Sequence, residues 1–515
     1  MSTKNVLKFV FAALSAGALL CACASVSSSS GLTASDHPQK IKYNEKRFNA
    51  ALERGDFTTC AGMLLGQNVN ANDVIRQNLD IAMLEHYAKA FDASDEICGK
   101  TDRLMHDAVT KSISKTVVSA TLNENASEYT GTVYEYLYIN VFNALNYYNR
   151  GNMEDALVEI RKINNKQREY ITKYGEAALQ KDQVEQKDIT DADYAARFFG
   201  INVPALKTKS PPSATEADVF RDSATARYLS MLFMMMDDDA GNARVDSDVL
   251  AKLNPGFDTK SELGIPEDKG RLDIIAFSGL IGRRFEQTLY FPGDVVSGVL
   301  AAGTHIVGNG PESLIMLPPL ADGVEIPAFR IKFVYPNFKE NAVQEKTASV
   351  RIVMDDGSIV QNLPLLENFN DAVAKDVRVR ASRDFGRSVI RSLVKKMSAV
   401  AAGEATLSAA AKSLDLNGKN KSFGEDVLSR VAYNVAYAGV VTAIEAVDLA
   451  ETADVRQCRY LPGKSNAGGI TLAPGMYSFT VQYLDSGGKI LGEQKFNSVE
   501  VQAGKPVLVE SVCIK

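Results

Sequence analysis

The stretch ALNYYNRGNMEDALVEIRKI, residues 144–163, decides the reading of the amino-terminal half. Ala144, Tyr147, Gly151, Ala156 and Ile160 follow one another as small, aromatic, turn, small and large residues. Apolar spacings of three and four mark two amphipathic helices. The glycine ends the first helix in a tight turn, and the small residue lets the second helix approach closely. Working outward, FNAALERGDFTTCAGML (residues 48–64) has Gly55 in the turn slot, Cys60 five positions on and then Leu64. In YAKAFDASDEICGKT (87–101), Lys89 takes the turn slot, followed by Ser94 and Cys98. The 34 residues from Gly55 to Lys89 are the period of a tetratricopeptide repeat, and the 62 from Lys89 to Gly151 make the array irregular. A fourth unit is read at 223–244, after a polar linker around 208–214. Residues 40–265 are therefore predicted to be a TPR-like α-α superhelical domain, with a generic α-bundle as the plainer alternative. Stacked repeats present a concave face that takes up a peptide or a partner helix. With Ala144 as anchor, Tyr138, Tyr148 and Asn149 are the candidate partner groove; core packing of the aromatic block 134–148 is the competing expectation.

The first residues set the expected compartment. Lys4 and Lys8 precede an apolar run over residues 9–20, too short for a bilayer core that needs about 20 helical residues but suited to a signal peptide. Leu20-Cys21-Ala22-Cys23 then leads into a Ser-rich stretch. This resembles the lipobox of bacterial lipoproteins, with small Ala22 before the cysteine that becomes the mature amino terminus. The resemblance implies a signal peptide at 1–22, lipidation of Cys23 and a Ser-rich tether at 23–39. Each buried CH₂ of an acyl chain contributes about 0.8 kcal/mol, so two or three chains anchor stably. Ala24 is not the Asp that retains lipoproteins at the inner membrane, so outer-membrane attachment facing the periplasm is expected.

Composition narrows the function classes. The 515 residues are 45 % hydrophobic and 23 % charged, a globular balance. The formal charge is −6, and loss of residues 1–22, which carry two lysines and no acids, takes it to −8. That argues against nucleic acid as a partner. Four His and no Trp argue against a His-rich metal site or a Trp-built sugar platform. Cys60, Cys98, Cys458 and Cys513 remain in the mature chain, an even number that reads as disulfides in an exported protein. Three connectivities are possible. Cys60–Cys98 and Cys458–Cys513 are preferred because each pair falls within one domain, and four free buried thiols are the alternative.

Near residue 272 the texture changes. RLDIIAFSGLI, QTLYFP, FRIKFVYP and ASVRIVMDDGSIV are short β-branched and aromatic runs bounded by turn signals, giving a β-rich domain at 266–367. A helical segment follows at 368–450, with Arg387, Arg391, Lys395 and Lys396 near one side of its first helix. A solvated basic face is preferred there over a lipid-headgroup site. Its second helix, 423–449, is Ala- and Val-rich, and Asn434 and Glu445 make it read as buried rather than membrane-spanning. Residues 451–515 alternate as a small C-terminal β-sandwich module able to pack on 266–367. The whole is α+β and multidomain.

FNALNYYNRGNMEDALVEIRKIN, ARYLSMLF, AETADVRQCRYLP and LAPGMYSFTV carry a wider likeness. On these segments the chain resembles an uncharacterised family of bacterial lipoproteins with a TPR-like amino-terminal half and a β-rich carboxy-terminal half. The resemblance implies architecture and location rather than activity. Cys458 stands where such relatives carry a bulky residue, consistent with a lineage-specific disulfide.

Chemical motifs are sparse. PGKS at 462–465 lacks the first glycine of a P-loop and reads as a turn. Asp237, Asp238 and Asp239 lack calcium-loop spacing and read as a solvated repeat turn. His37, His86, His106 and His305 are scattered, and no HExxH or GxSxG occurs. No catalytic residue, cofactor or metal ligand is therefore assigned. The expected function is a non-enzymatic, membrane-anchored periplasmic scaffold or assembly factor whose partner is an envelope protein or peptide. An envelope enzyme acting on glycan or peptide, through a carboxylate pair that leaves no local signature, is one alternative. A small-ligand or lipid-binding module, with a pocket beside 296–307, is another.

Overall fold

A computed structural model of the chain describes residues 39–114, 127–170, 211, 214–292, 330–339, 346–414, 416 and 422–514. It is α+β, 53 % helical and 23 % strand. Among the described residues eight helices form four pairs: α1 (Glu45–Arg54) with α2 (Phe57–Leu65), α3 (Val74–Tyr87) with α4 (Phe91–Ser114), α5 (Val133–Asn149) with α6 (Met153–Tyr170), and α7 (Ala224–Met236) with α8 (Ala240–Leu253). All four pairs share one turn. Gly55, Lys89, Gly151 and Asp238 sit in the left-handed region, at φ 74°, 60°, 75° and 59°. The next N–H closes back on the carbonyl five residues earlier: Asp56 on Ala51, Ala90 on Glu85, Asn152 on Tyr147 and Asp239 on Met234, at 2.8–2.9 Å. Asp56, Asn152 and Asp239 then cap the following helix, each accepting a backbone N–H at 3.1 Å. Five residues after each turn stand Cys60, Ser94, Ala156 and Ala243, all fully buried, where their small size admits the paired helix. A short helix, α9 (Thr259–Leu263), ends this region.

Among the described residues ten strands follow in chain order: β1 (Gly270–Leu280), β2 (Arg283–Pro292), β3 (Arg330–Lys339), β4 (Ser349–Met354), β5 (Val360–Leu363), β6 (Leu365–Asn368), β7 (Pro462–Leu472), β8 (Gly475–Leu484), β9 (Ile490–Val501) and β10 (Pro506–Cys513). One sheet has the order β10-β1-β7-β6 and another β5-β4-β8-β9, while β2 and β3 form a separate antiparallel ribbon. Within the first sheet β1 runs parallel to β10 and antiparallel to β7, so segments far apart in the chain complete it together.

Every residue of β1 is buried, because the strand is covered on both faces. Leu272, Ile274 and Ala276 meet Val350, Ile352, Phe479 and Val481 of the second sheet. Ile275 and Phe277 point the other way, into the helical core, where Phe277 lies 5.2 Å from Phe142 between ring centroids. The order of layers is helices, sheet, sheet. PGKS, read as a turn, is instead the start of β7: Lys464 and Ser465 pair with Ser278 and Phe277. Its backbone groups are taken up by the ladder.

Two long helices, α10 (Phe369–Ser413) and α11 (Phe423–Ala450), form a hairpin. Asn368 caps the first, and a Ser422–Glu425 capping box starts the second. Forty-five residues at 1.5 Å each make α10 about 67 Å long. Its first half packs on β3, with Ser388 Oγ accepting the Val334 N–H at 2.7 Å and Phe385 edge-on to Phe333 and Tyr335. Its second half builds a separate core with α11 from Val400, Leu407, Ala410, Ala436, Val440 and Ile444. Gly403 permits that approach: a Cβ there would lie 2.4 Å from Val440 Cγ1.

Candidate functional site

The three groove candidates all lie on α5, with Tyr138 buried, Tyr148 half-buried and Asn149 exposed, and each bonds to the chain's own carboxy-terminal half. Tyr138 is fully buried and donates its hydroxyl to Glu367 Oε1 at 2.8 Å. The other Glu367 oxygen accepts from Ser223 Oγ at 2.6 Å and Thr225 N–H at 2.9 Å, so β6 is tied to α5 and to the start of α7. Tyr148 meets the backbone of Leu508 in β10, and Asn149 Nδ2 donates to Glu510 Oε2 at 2.7 Å. The expectation of an open partner groove at Tyr138, Tyr148 and Asn149 is corrected accordingly: their polar groups already have partners within the molecule.

An extended segment, residues 451–461, threads the same face. Its charges and backbone are matched by the helices. Asp80, fully buried on α3, accepts the Arg459 N–H at 2.7 Å and its guanidinium at 2.7–2.8 Å. Glu135 accepts the Cys458 N–H through one oxygen, and through the other the Tyr129 hydroxyl at 2.6 Å and the Thr132 N–H at 2.8 Å. Tyr87 donates to the Tyr460 carbonyl at 2.8 Å, and Arg456 reaches the Asn72 and Ser127 carbonyls. Burial raises the Glu135 and Glu367 carboxyls above the ordinary glutamate range, against the hydrogen bonds they accept.

His86 lies at the centre of this junction. Its Nε2 is 2.6 Å from Glu510 Oε1 and its Nδ1 is 2.7 Å from Asn146 Oδ1. Asn146 is oriented by donating Nδ2 to Ser94 Oγ and Asn143 Oδ1. Both ring nitrogens thus face oxygen acceptors, which makes the ring a double donor, an imidazolium. Burial pulls its pKa down, but the charge of Glu510 and the hydrogen bonds to Glu510 and Asn146 leave it raised overall. Phe91, Phe142 and Tyr87 enclose the ring edge-on. Such a His–Glu pair fastens α3 to β10.

The cysteines depart from the disulfide expectation. Cys60, Cys98, Cys458 and Cys513 are free thiols, and all four are buried. Cys458 belongs to the core on the helical side of the first sheet, whereas Cys513 belongs to the core between the two sheets, so the sheet separates that predicted pair. Cys60 Sγ contacts the Phe48 carbonyl, while Cys98 and Cys458 line one small apolar cavity with Leu79, Met83 and Phe142. Burial pushes the Cys60 thiol up to about 12 and raises Cys98 and Cys458 well above the ordinary thiol range, which keeps them protonated.

A buried carboxyl pair does occur. Arg271 Nε and its terminal nitrogen donate to Glu262 at 3.0 and 2.6 Å, and Nε also lies 3.1 Å from Asp273 Oδ1. Burial, reinforced by the Glu262 charge, raises Asp273 far above the usual aspartate range. The pair sits beneath Gly469, where a Cβ would fall 2.2 Å from Asp273 Oδ1. It is sealed within the sheet rather than set in a cleft.

The basic side of α10 is neither solvated nor a headgroup site as far as its described side chains go. Arg391 pairs with Glu451 at 2.5 Å, Lys395 with Glu451 at 3.3 Å, and fully buried Lys396 with Asp448 at 3.0 Å. These acids end α11, so the charges lock the base of the hairpin.

The surface that the sequence reading missed is the outward face of α11. It was expected to be buried, yet Val427, Leu428, Val431 and Val435 are 44–53 % exposed and Leu449 is 83 % exposed. Gly424–Ala450 is long and apolar enough to cross a membrane, and only 17 % of its most apolar window is buried. The signal was present: apolar residues run along more than one face of α11, and one partner helix can cover only one of them.

Among the described residues no three His, Cys, Asp or Glu side chains are grouped to hold a metal ion. Cys23, the tether, His37, His305 and the 296–307 pocket fall outside the described residues. Set against known proteins, the chain matches no family model, no curated protein and no solved structure.

Proposed function

We propose that this chain is a lipid-anchored periplasmic scaffold or assembly factor, held through Cys23 at the bacterial envelope, on the outer membrane. In this reading the four helix pairs are an irregular TPR-like array and the two facing sheets a small β-sandwich. The array serves as a frame that grips its own segment 451–461, and the α10–α11 hairpin carries the contact with an envelope protein. The observation that supports this is the row of exposed apolar residues on α11, from Val427 to Leu449, on an arm whose base is fixed by buried ion pairs. Isolated exposed apolar residues are ordinary, but a contiguous stripe on one helix marks an interaction surface.

Intact mass of the mature protein and capture from detergent-solubilised envelopes test the reading together. A fatty-acylated Cys23 and a captured protein that is lost with Val431→Asp and Val435→Asp, but kept with Tyr148→Phe, are expected. A mature chain starting elsewhere without fatty acid, or capture indifferent to the α11 variants, would overturn it.

A further inference from the structure

We infer that the outward face of α11 is a self-association surface, taken up by α11 of a second copy of this chain running antiparallel to it. The inference rests on the scaffold reading above and names the partner of that face.

The stripe is divided by size. Its half nearer the hairpin tip carries the bulky residues Leu428, Val431 and Val435, and its half nearer the base carries the exposed small residues Ala438, Gly439 and Thr442, followed by Ala446. A parallel pairing would set bulky against bulky and leave a gap where small meets small. An antiparallel pairing, with its two-fold axis near Ala438, sets Val431 and Val435 of each copy into the space over the small residues of the other. That is the knob-and-hole complementarity of close helix packing. Val427 and Leu449, near the two ends, come level with each other across the axis.

Charge selects the same arrangement. Arg430 and Glu445 lie equally far, 7.5 residues, on either side of the midpoint between Tyr437 and Ala438. At 100° per residue both fall on the same flank of the stripe, and in antiparallel helix pairs same-flank residues are the ones that meet. Arg430 of each copy therefore reaches Glu445 of the other, twice per dimer. Parallel pairing would instead leave the two Arg430 side chains level with each other on opposite flanks, and likewise the two Glu445 side chains, so that the pair is not formed. The Arg430 side chain is 70 % exposed and, among the described residues, pairs along its own helix with Asp426 at 2.9 Å, so it can turn to a partner. Antiparallel helix dipoles add in the same direction. The geometry also places the two folded bodies at opposite ends of the paired arms, so the contact closes as a dimer.

Sedimentation velocity of the full mature chain in detergent, over a range of concentrations, tests this with Arg430→Glu, Glu445→Arg and the double reversal. A monomer–dimer equilibrium is expected, weakened about tenfold by each single reversal, since two exposed pairs become repulsions, and restored by the double. Both residues are exposed, so circular dichroism should show each variant folded. A wild-type monomer at every concentration overturns the inference, whether the stripe is then covered by the chain's own residues 293–329 or taken up by protein-free vesicles. So does a dimer indifferent to both reversals. Either result leaves Cys23 acylation and partner capture standing as separate readouts of the scaffold reading.

Discussion

The hydroxyl of Tyr148 donates to the Leu508 carbonyl at 3.1 Å and accepts the Leu508 N–H at 3.0 Å. One side chain of α5 thereby stands in for a neighbouring strand along the free edge of β10. The two residues are 360 positions apart, and this bond is part of what makes the helical half and the sheets a single packed unit.

Tyr148→Phe keeps the ring stacked on Phe233, at 5.1 Å between centroids, while leaving both Leu508 backbone groups unpaired. A loss of about 1–3 kcal/mol in denaturant unfolding is expected, with faster amide exchange at Leu508. Unchanged exchange there would show that the edge is satisfied otherwise.

The fold was legible where a local rule acts, and opaque where a distant partner does. Gly55, Lys89 and Gly151 announce turns because each must adopt φ > 0 between two periodic helices. The run from Arg271 to Ile281 announces a strand by its β-branched and aromatic residues bounded by turn signals, while the second helical or sheet layer that buries its other face leaves no mark in it. Tyr138, Tyr148 and Asn149 lie on one helix, but what meets them is set by partners hundreds of residues away that leave no period in the sequence. The exposed stripe of α11 went unseen for a related reason: periodicity shows which faces of a helix are apolar, not how many neighbours it has.

The pH dependence of stability has a definite sign. His86 has a raised pKa in the folded chain, so its contribution is full below its unfolded value of about 6.5 and is lost as pH rises through the folded value. Glu135 and Glu367, raised by burial, act in the same direction, favouring the fold while neutral. The melting temperature should fall between pH 6 and pH 9, and His86→Gln should flatten that fall. A melting temperature that climbs over the same range would contradict the His86–Glu510 pairing.

Gly469 and Asp273 make a paired prediction. Gly469→Ala puts a methyl group 2.2 Å from Asp273 Oδ1 and 2.8 Å from Arg271 Nε, and should cost about 1–3 kcal/mol. Asp273→Asn keeps the shape and removes a carboxyl whose ionisation the site opposes, so thermal stability at pH 8 should be equal or higher. A strongly destabilised Asp273→Asn would mean that the site needs the anion.

Thiol chemistry checks the corrected cysteines. Iodoacetamide should modify none of Cys60, Cys98, Cys458 and Cys513 in the native protein and all four after denaturation without reductant. A denatured chain that gains alkylation sites only once reductant is added would restore a disulfide.

The central claim is that the helical array closes on its own extended segment. The Cys458 and Arg459 N–H groups, bonded to the buried carboxyl groups of Glu135 and Asp80, report on it most directly. Hydrogen exchange of the intact chain should find both amides as slow as the cores of α3 and α5, opening only with them. Exchange at these two positions within minutes, while α3 and α5 stay protected, would show the groove open and the account wrong.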